Sequence, residues 1–418
     1  MKVLLINPNR YKSPPVPPLG LEYMAASLEN RGHTSAIVDL TFSKDIFRDI
    51  DEAIGSFIPD VMGITVRNID TVLYHTNEFF LDEIKDIVMY VKSKHGLKVI
   101  IGGSGLSINP EATREYLNAD FAITGPSENM IHEVLAEIQH SKCKKNIYKG
   151  KFKPDNFSSR RPDYIDYKKY FDEGGIAGFE THKGCSSSCV YCLEAKTHVS
   201  FKSVEDVLDE IRYFVQKDYN HFHLCDSEFN ENLDYSIEFC SALKKSGMQI
   251  KWAVYMKPEN ISKHLMSLLR QTGVYLITLS VDSWKRPPDY WSNVEHFIST
   301  VKPFGIKIAV DFITGFPYED DDTVLRWLDL FQRTKPDSVG INTYIRLYKS
   351  LRLTGIIMKD RNLRGNLMGN TKDRTFIKPV FYNHVNTEKL QQLIDGDDLF
   401  RIEGLEKGVN YSRVGAQK

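Results

Sequence analysis

The sequence predicts an α/β fold in two halves: an open parallel sheet with helices on both faces, then a partial (βα)6 barrel and a small C-terminal segment. Two observations carry this expectation. Short β-rich runs alternate with helical patterns along both halves, and the second half opens on three closely spaced cysteines. A chain of 418 residues is expected to form two or three domains, at roughly 100 to 200 residues each. Its hydrophobic fraction of 42% and charged fraction of 26% are those of a globular chain, which argues against disorder or a fibrous repeat.

In residues 1–140 the strand-like runs are VLLINP (3–8), SAIVDL (35–40), VMGITV (61–66), KVIIGG (98–103) and FAITG (121–125). Between the first two, Leu21, Met24, Ala25 and Leu28 share one helical face, and Gly32 closes the helix. Continuous apolar strands separated by helices indicate a parallel sheet buried on both faces, a Rossmann-type arrangement. Ligands of such sheets sit beyond the carboxyl ends of the strands. Those ends carry Asn9, Arg10 and a proline-rich loop at 14–18; Thr65, Arg67 and Asn68; Gly102, Gly103, Ser104 and Gly105; and Gly125, Pro126, Ser127 and Glu128. Glycine there allows close backbone approach to a ligand, although a GG pair also suits a tight turn. No GxGxxG follows the first strand, which disfavours an ordinary dinucleotide site.

Residues 141–176 read as a polar connector in which Cys143 is an exposed, incidental thiol. After it, GFETHKGCSSSCVYC sets Cys185, Cys189 and Cys192 at C-x3-C-x2-C spacing. With six cysteines in 418 residues, a given one would find partners at both offsets about twice in ten thousand trials. Three thiolates on one short loop suit iron–sulfur or zinc. Structural zinc wants four closed ligands, and His182 is the one nearby candidate to complete them.

From 177 to 355 the strand-like runs FHLCDS, IKWAVY, YLITLSVD, KIAVDFITG and SVGINTY alternate with helical stretches at 203–216, 233–246, 258–272, 291–301 and 322–333. The chemistry of such barrels lies at the carboxyl ends of the strands. Those ends hold Asp226 and Glu228, Tyr255 and Lys257, Ser280, Asp282 and Ser283, residues 314–319, and Tyr344. Asp226 and Asn230 are alternatively caps of the next helix. The acidic run 319–322 complements a helix N-terminus, Cys225 and Cys240 read as packed thiols, and Tyr344, Arg346 and Tyr348 fit substrate contact or barrel edge equally. Residues 356–418 suggest a strand and a helix, a possible lid over the barrel mouth, with Tyr382 and His384 structural.

A formal charge of −1 offers no general attraction to nucleic acid or anionic bilayers. No long apolar run or secretory leader is visible, and six cysteines are too few for a disulfide scaffold, so a cytoplasmic protein is expected.

CxxxCxxC with Tyr191 before its last cysteine resembles the signature of radical S-adenosylmethionine (SAM) enzymes. A Rossmann-type domain placed before it is similar to the cobalamin-binding branch of that superfamily. The resemblance covers about residues 1–355, and HLCDSEFN at 223–230 is similar to a subgroup that includes tryptophan C-methyltransferases. It implies a [4Fe-4S] cluster on the three cysteines, SAM on the open iron, and cobalamin on the first domain. Glu228 or Asp226 would then meet the SAM ammonium, Lys257 its carboxylate, and Ser280 or Asp282 the ribose. Gly315 and Tyr191 would lie near the adenine. The D-x-H-x-x-G loop of many cobalamin proteins is absent, so its histidine ligand is excluded; Arg67 would face the corrin's lower side unless it pairs with Asp70.

The function implied is methyl transfer from SAM, by way of methylcobalamin, to a carbon of a small metabolite or natural-product precursor. An external electron donor such as a flavodoxin or ferredoxin is implied with it. Alternatives are a non-methylating outcome such as cyclisation or ring contraction, a radical SAM enzyme that has lost cobalamin, or a sensor without turnover, against which the lack of a DNA-binding pattern argues.

Overall fold

The structure, a computed structural model, describes residues 1–151 and 163–405. Its first half contains β1 (Lys2–Asn7), α1 (Leu19–Asn30), β2 (Thr34–Asp39), α2 (Ile46–Phe57), β3 (Val61–Thr65), α3 (Leu81–His95), β4 (Val99–Gly102), α4 (Pro110–Leu117), β5 (Phe121–Thr124), α5 (Met130–Gln139) and β6 (Ile147–Lys149). The all-parallel sheet has the order β2-β1-β3-β4-β5-β6. Alternate residues of β1 pack on opposite faces: Leu4 and Ile6 join one core, Val3 and Leu5 the other. That is the physical reason its strands are apolar without alternation. The order reverses beside β1, so a crevice opens at the carboxyl ends of β1 and β3.

The expected connector is more structured than its polarity suggests. Ile147–Lys149 pairs with β5 as a sixth strand, and α6 (Tyr167–Asp172) follows; most of FSSRRPDY falls outside the described residues. Cys143 is half-buried against the first-half core, a correction to its reading as exposed.

The second half contains β7 (Ala177–Phe179), β8 (His182–Lys183), β9 (Ser200–Phe201), α7 (Val204–Val215), β10 (His221–Leu224), α8 (Leu233–Ser246), β11 (Lys251–Met256), α9 (Lys263–Gln271), β12 (Val274–Asp282), α10 (Pro288–Val301), β13 (Lys307–Ile313), α11 (Asp321–Thr334), β14 (Ser338–Asn342) and β15 (Ile345–Arg346). Beyond them lie α12 (Arg352–Lys359), β16 (Leu367–Gly369), β17 (Val380–Tyr382), α13 (Thr387–Ile394) and β18 (Phe400–Ile402). The parallel sheet runs β18-β14-β13-β12-β11-β10-β7 and stays open between its edges, a partial barrel.

Caps set the helix starts. Ser203, Asn232, Ser262 and Asp320 each accept a backbone N–H three residues on, at α7, α8, α9 and α11. The Ser262 cap explains why α9 begins five residues after 258. Asn232, rather than Asp226 or Asn230, caps α8. Within the acidic run, Asp320 is a helix cap, as expected.

The C-terminal segment is part of the barrel architecture rather than a separate lid. Its β18 pairs with β14, and β17 pairs with β15 and β16 in a small antiparallel sheet. Tyr382 is buried, and His384 Nδ1 contacts Asn366 and the Tyr382 hydroxyl, in keeping with structural roles.

Buried polar links join the halves. Arg346 donates to Asp70 at 2.8 Å and to the carbonyls of Leu347, Phe376 and Ile377, all out of water. Lys202 reaches the Tyr23 hydroxyl and Glu180, each at 3.0 Å, and Tyr23 donates to Glu210 on α7. Tyr170 donates to Asp39 at 2.7 Å. Among the described residues no helix is long and apolar enough to cross a membrane.

Candidate active site between two strand-end rims

The cysteine loop follows β7 and is tied into a ring. The β8–β9 clasp closes its base, Thr197 N–H donates to the Cys185 carbonyl (3.1 Å), and Lys196 N–H donates to the Ser187 carbonyl (2.9 Å). Gly184 at φ +95° lies so close to the His198 carbonyl that a side chain would collide with it. The loop thereby brings Cys185, buried, and Cys189 and Cys192, half-buried, to the barrel mouth. Burial raises all three thiols above their ordinary range, Cys185 to about 12, so the metal-free loop holds thiols and iron would have to displace their protons.

His182 Nδ1 lies 3.1 Å from Asp226, and among the described residues no trio of His, Cys, Asp or Glu, His182 included, is arranged to hold a single metal ion. Three sulfurs spread around one loop fit the larger iron–sulfur cube.

Glu228 fits the ammonium of SAM better than Asp226 does, because Asp226 is already engaged. Its carboxylate accepts from the Thr181 N–H and hydroxyl and from His182. Glu228 lies deep beside Ser280 with Oε2 buried and unpartnered, and burial pushes its pKa to about 8. An acid with a buried, unpartnered oxygen suits a cationic ligand. Lys257 pairs at 3.0 Å with Glu231, which also accepts from Ser186 in the cysteine loop; Lys257 Nζ stands 3.3 Å from Ser186 Oγ. Glu231 was not singled out by sequence, though it sits three residues beyond Glu228.

Asp282 is likewise committed. It accepts both guanidinium arms of Arg286, the Trp284 N–H at 3.0 Å and the Tyr191 hydroxyl at 3.1 Å. Ser280, half-buried and hydrogen-bonded to Glu228, is therefore the freer of the two ribose candidates. Arg286, also missed, extends to within 3.8 Å of Cys189 Sγ. Its spacing of i+4 from Asp282 was the available signal. Tyr191 lies 5.6 Å from Phe316, so it adjoins the segment expected near adenine. Gly315 at φ +91° has no room for a side chain, because the Thr343 carbonyl and Asn383 press on it; Glu319 fixes this loop by accepting from Thr314, Gly315 and Phe316.

The other rim belongs to the first sheet. Arg67, Asn68, Ser104 and Gly125 are exposed there, and Thr65, Gly102, Gly103, Ser127 and Glu128 are half-buried. A side chain at Gly103 (φ +107°) would meet the Val66 carbonyl at 2.6 Å, and Ser104 Oγ donates to the Arg67 carbonyl at 2.7 Å. The glycines thus pack one loop against its neighbour, which leaves a shallow shelf. Arg67 does not pair with Asp70, whose partner is Arg346. Its charge instead reaches His223 on β10, where burial first and Arg67 second lower the imidazole to about 4. The two rims meet where Asp70, in the loop after β3, pairs with Arg346, just beyond β14. A rim of exposed side chains and close-packed glycine loops, with no histidine in the loop after β1, fits a cofactor whose metal takes no ligand from that loop.

Cys240 is fully buried as expected, whereas Cys225 is exposed and abuts Gly178, a correction to its reading as a packed thiol. Of the Tyr344–Tyr348 stretch, Arg346 is a buried crosslink and Tyr344 stacks on Tyr74 at 4.1 Å.

Known proteins repeat this organisation. Residues 13–135 match the model of the B12 binding domain, and residues 179–331 match that of the radical SAM superfamily. A tryptophan 2-C-methyltransferase from Streptomyces laurentii is 22% identical over 90% of this chain and 78% of its own length. The fold matches a radical S-adenosylmethionine methyltransferase from Kitasatospora setae, solved with cobalamin and a [4Fe-4S] cluster, at TM-score 0.87 and 21% identity, over 100% of this chain and 97% of that one. A second structure of that enzyme, with tryptophan and a SAM analogue, matches at TM-score 0.86 and 22% identity, over 100% and 95%. With a B12-binding domain ahead of a cysteine-bearing radical SAM barrel, the chain belongs to the cobalamin-binding branch of the radical SAM superfamily.

Proposed function

We propose that the chain is a cobalamin-dependent methyltransferase that moves a methyl group from SAM, by way of cobalamin, to a carbon of a small molecule or natural-product precursor. The observation that carries this reading is the meeting of the two rims: Cys185, Cys189 and Cys192 lie at the barrel mouth, and the loop after β3 is tied to the segment after β14 by the buried Asp70–Arg346 pair at 2.8 Å. Relatives named as methyltransferases support it. When bound, the cluster supplies an iron that holds SAM and an electron for it, and cobalamin supplies a cobalt that carries methyl.

The residues of this chain place and shield the reactants. Cys185, Cys189 and Cys192 would hold the cluster. Glu228 would give up its proton and meet the SAM ammonium, Lys257 and Ser186 would take the carboxylate, and Ser280 the ribose. Tyr191 and the Gly315–Phe316 segment would flank the adenine. Thr65, Arg67, Asn68, Gly102, Gly103, Ser104, Gly125, Ser127 and Glu128 would form the cobalamin shelf. Arg67, a cation with no lone pair to give a metal, would adjoin the cobalamin without ligating it. Tyr255, half-buried with its hydroxyl 3.3 Å from Asp311, would line the substrate side of the site.

Anaerobic incubation with SAM labelled in its methyl group tests the assignment, with an indole-bearing amino acid as first substrate. A product heavier by one labelled methyl is expected. A product formed without the label supports cyclisation or another non-methylating outcome and rejects this reading.

A further inference from the structure

A cleft of about 630 Å³ opens on the outer flank of the barrel, between the loops that follow β12 and β13 and helices α10 and α11. Its floor is Arg286, whose guanidinium is clamped by Asp282 on one side and reaches to 3.8 Å from Cys189 Sγ on the other. That side chain is 24% exposed, so one residue separates the cleft from a cluster-loop sulfur.

The lining is basic and aromatic. Lys285 stands over the Trp284 ring at 5.0 Å, and Arg326 donates only to the Asp322 carbonyl and the Thr323 hydroxyl; neither lies within ion-pair distance of a carboxylate among the described residues. The two acids in the lining are spent: Glu319 holds the loop after β13, and Asp329 pairs with Arg333 at 2.9 Å. Tyr318 is 58% exposed, with its hydroxyl donating to Asp360 and Lys285 5.9 Å from its ring. A cationic rim around exposed aromatic surface is complementary to an acidic protein with an apolar centre to its contact face.

We propose that this cleft is the docking place of the one-electron donor, a small acidic flavin or iron–sulfur protein, and that Arg286 is the contact between that donor and the Cys189 side of the cluster. The inference rests on the radical SAM reading above. In the step it serves, the donor's redox centre loses one electron and the oxidised cluster gains it; no bond is made or broken and no proton moves. Lys285 and Arg326 steer the encounter, while Arg286 and Tyr318 meet the seated partner.

The test uses full-length protein, reconstituted anaerobically with iron and sulfide, and follows loss of cluster absorbance in stopped flow. Fully reduced flavodoxin is one reductant, and photoreduced deazaflavin, too small to need a docking surface, is the other. In the Lys285→Glu/Arg326→Glu double variant, reduction by flavodoxin is expected to slow about tenfold or more at low salt and to lose most of its salt dependence. Reduction by deazaflavin and the iron content should stay at the unsubstituted values. Reduction by flavodoxin at the unsubstituted rate overturns the proposal, as does equal slowing with both reductants. Absence of iron and sulfide from the unsubstituted protein, measured on the same sample, overturns the radical SAM reading and this one together.

Discussion

The two rims are built by opposite means. The rim of the first sheet is a backbone construction: glycines at 103 and 105 let two loops close on each other, and Arg67, Asn68 and Ser104 stand exposed on it. The barrel rim is a network of buried charge whose aspartates are claimed by specific partners, Asp226 by Thr181 and His182, and Asp282 by Arg286 and Tyr191. A broad cofactor can be seated by shape on the first. A small zwitterion has to be held by charge on the second, and Glu228, with one buried oxygen unpartnered, is the place left for it.

The sharpest way to separate the rims is to disable each in turn. Cys189→Ala is expected to abolish cluster-dependent turnover and lower the iron content while cobalamin uptake persists; an unchanged rate would remove the radical SAM assignment. Gly103→Trp, at a positive φ with a backbone carbonyl in the way, should abolish cobalamin uptake and leave the iron content intact. Full retention of cobalamin by that variant would displace the corrin from this shelf.

The link between the rims comes next. Asp70→Asn strands the buried Arg346 cation and should cost about 3 to 5 kcal/mol in unfolding free energy. Asp70→Asn/Arg346→Met should recover a good part of that, and urea unfolding of both variants measures it; equal loss in the two would show that the pair does not couple the halves.

Glu228 sharpens the contrast through pH. Its carboxyl is held protonated by burial up to about 8, against an ordinary value of 4.5. A raised acid favours folding fully below its unfolded value, so this contribution to the free chain's stability falls as pH climbs from 4.5 through 8. SAM binding should run the other way, tightening as pH rises through about 8 and releasing a proton at neutral pH, which calorimetry in buffers of different ionisation heat detects. Glu228→Gln should flatten both profiles and weaken SAM binding by about 2 kcal/mol, roughly thirtyfold. A pH-independent affinity in the unsubstituted protein would contradict the assignment. The smallest effect expected is at His223: Arg67→Ala should raise its pKa above about 4 while burial keeps it below the ordinary range, as imidazole NMR would record.

What the sequence made legible follows the same division. The strands of the first sheet and the cysteine loop were readable because apolar runs and a fixed cysteine spacing are local signals. The barrel helices were readable for the same reason. Partnerships across the fold were not. Asp226 and Glu228 stand two residues apart with the same chemistry nearby, and only the fold shows that Thr181 and His182 claim one and leave the other. By sequence proximity Arg67 was the expected partner of Asp70, yet the partner came from 276 residues away. β6 and β18 were hidden because three-residue edge strands carry too few apolar positions to mark a period.

The central claim is that one rim carries an iron–sulfur cluster and the other a cobalamin. Metal analysis of the full chain after anaerobic reconstitution with iron, sulfide and cobalamin tests it most directly. The account predicts about four iron and about one cobalt per chain, with the iron lost in Cys189→Ala and the cobalt lost in Gly103→Trp. Zinc in place of iron, or iron without cobalt, would contradict it.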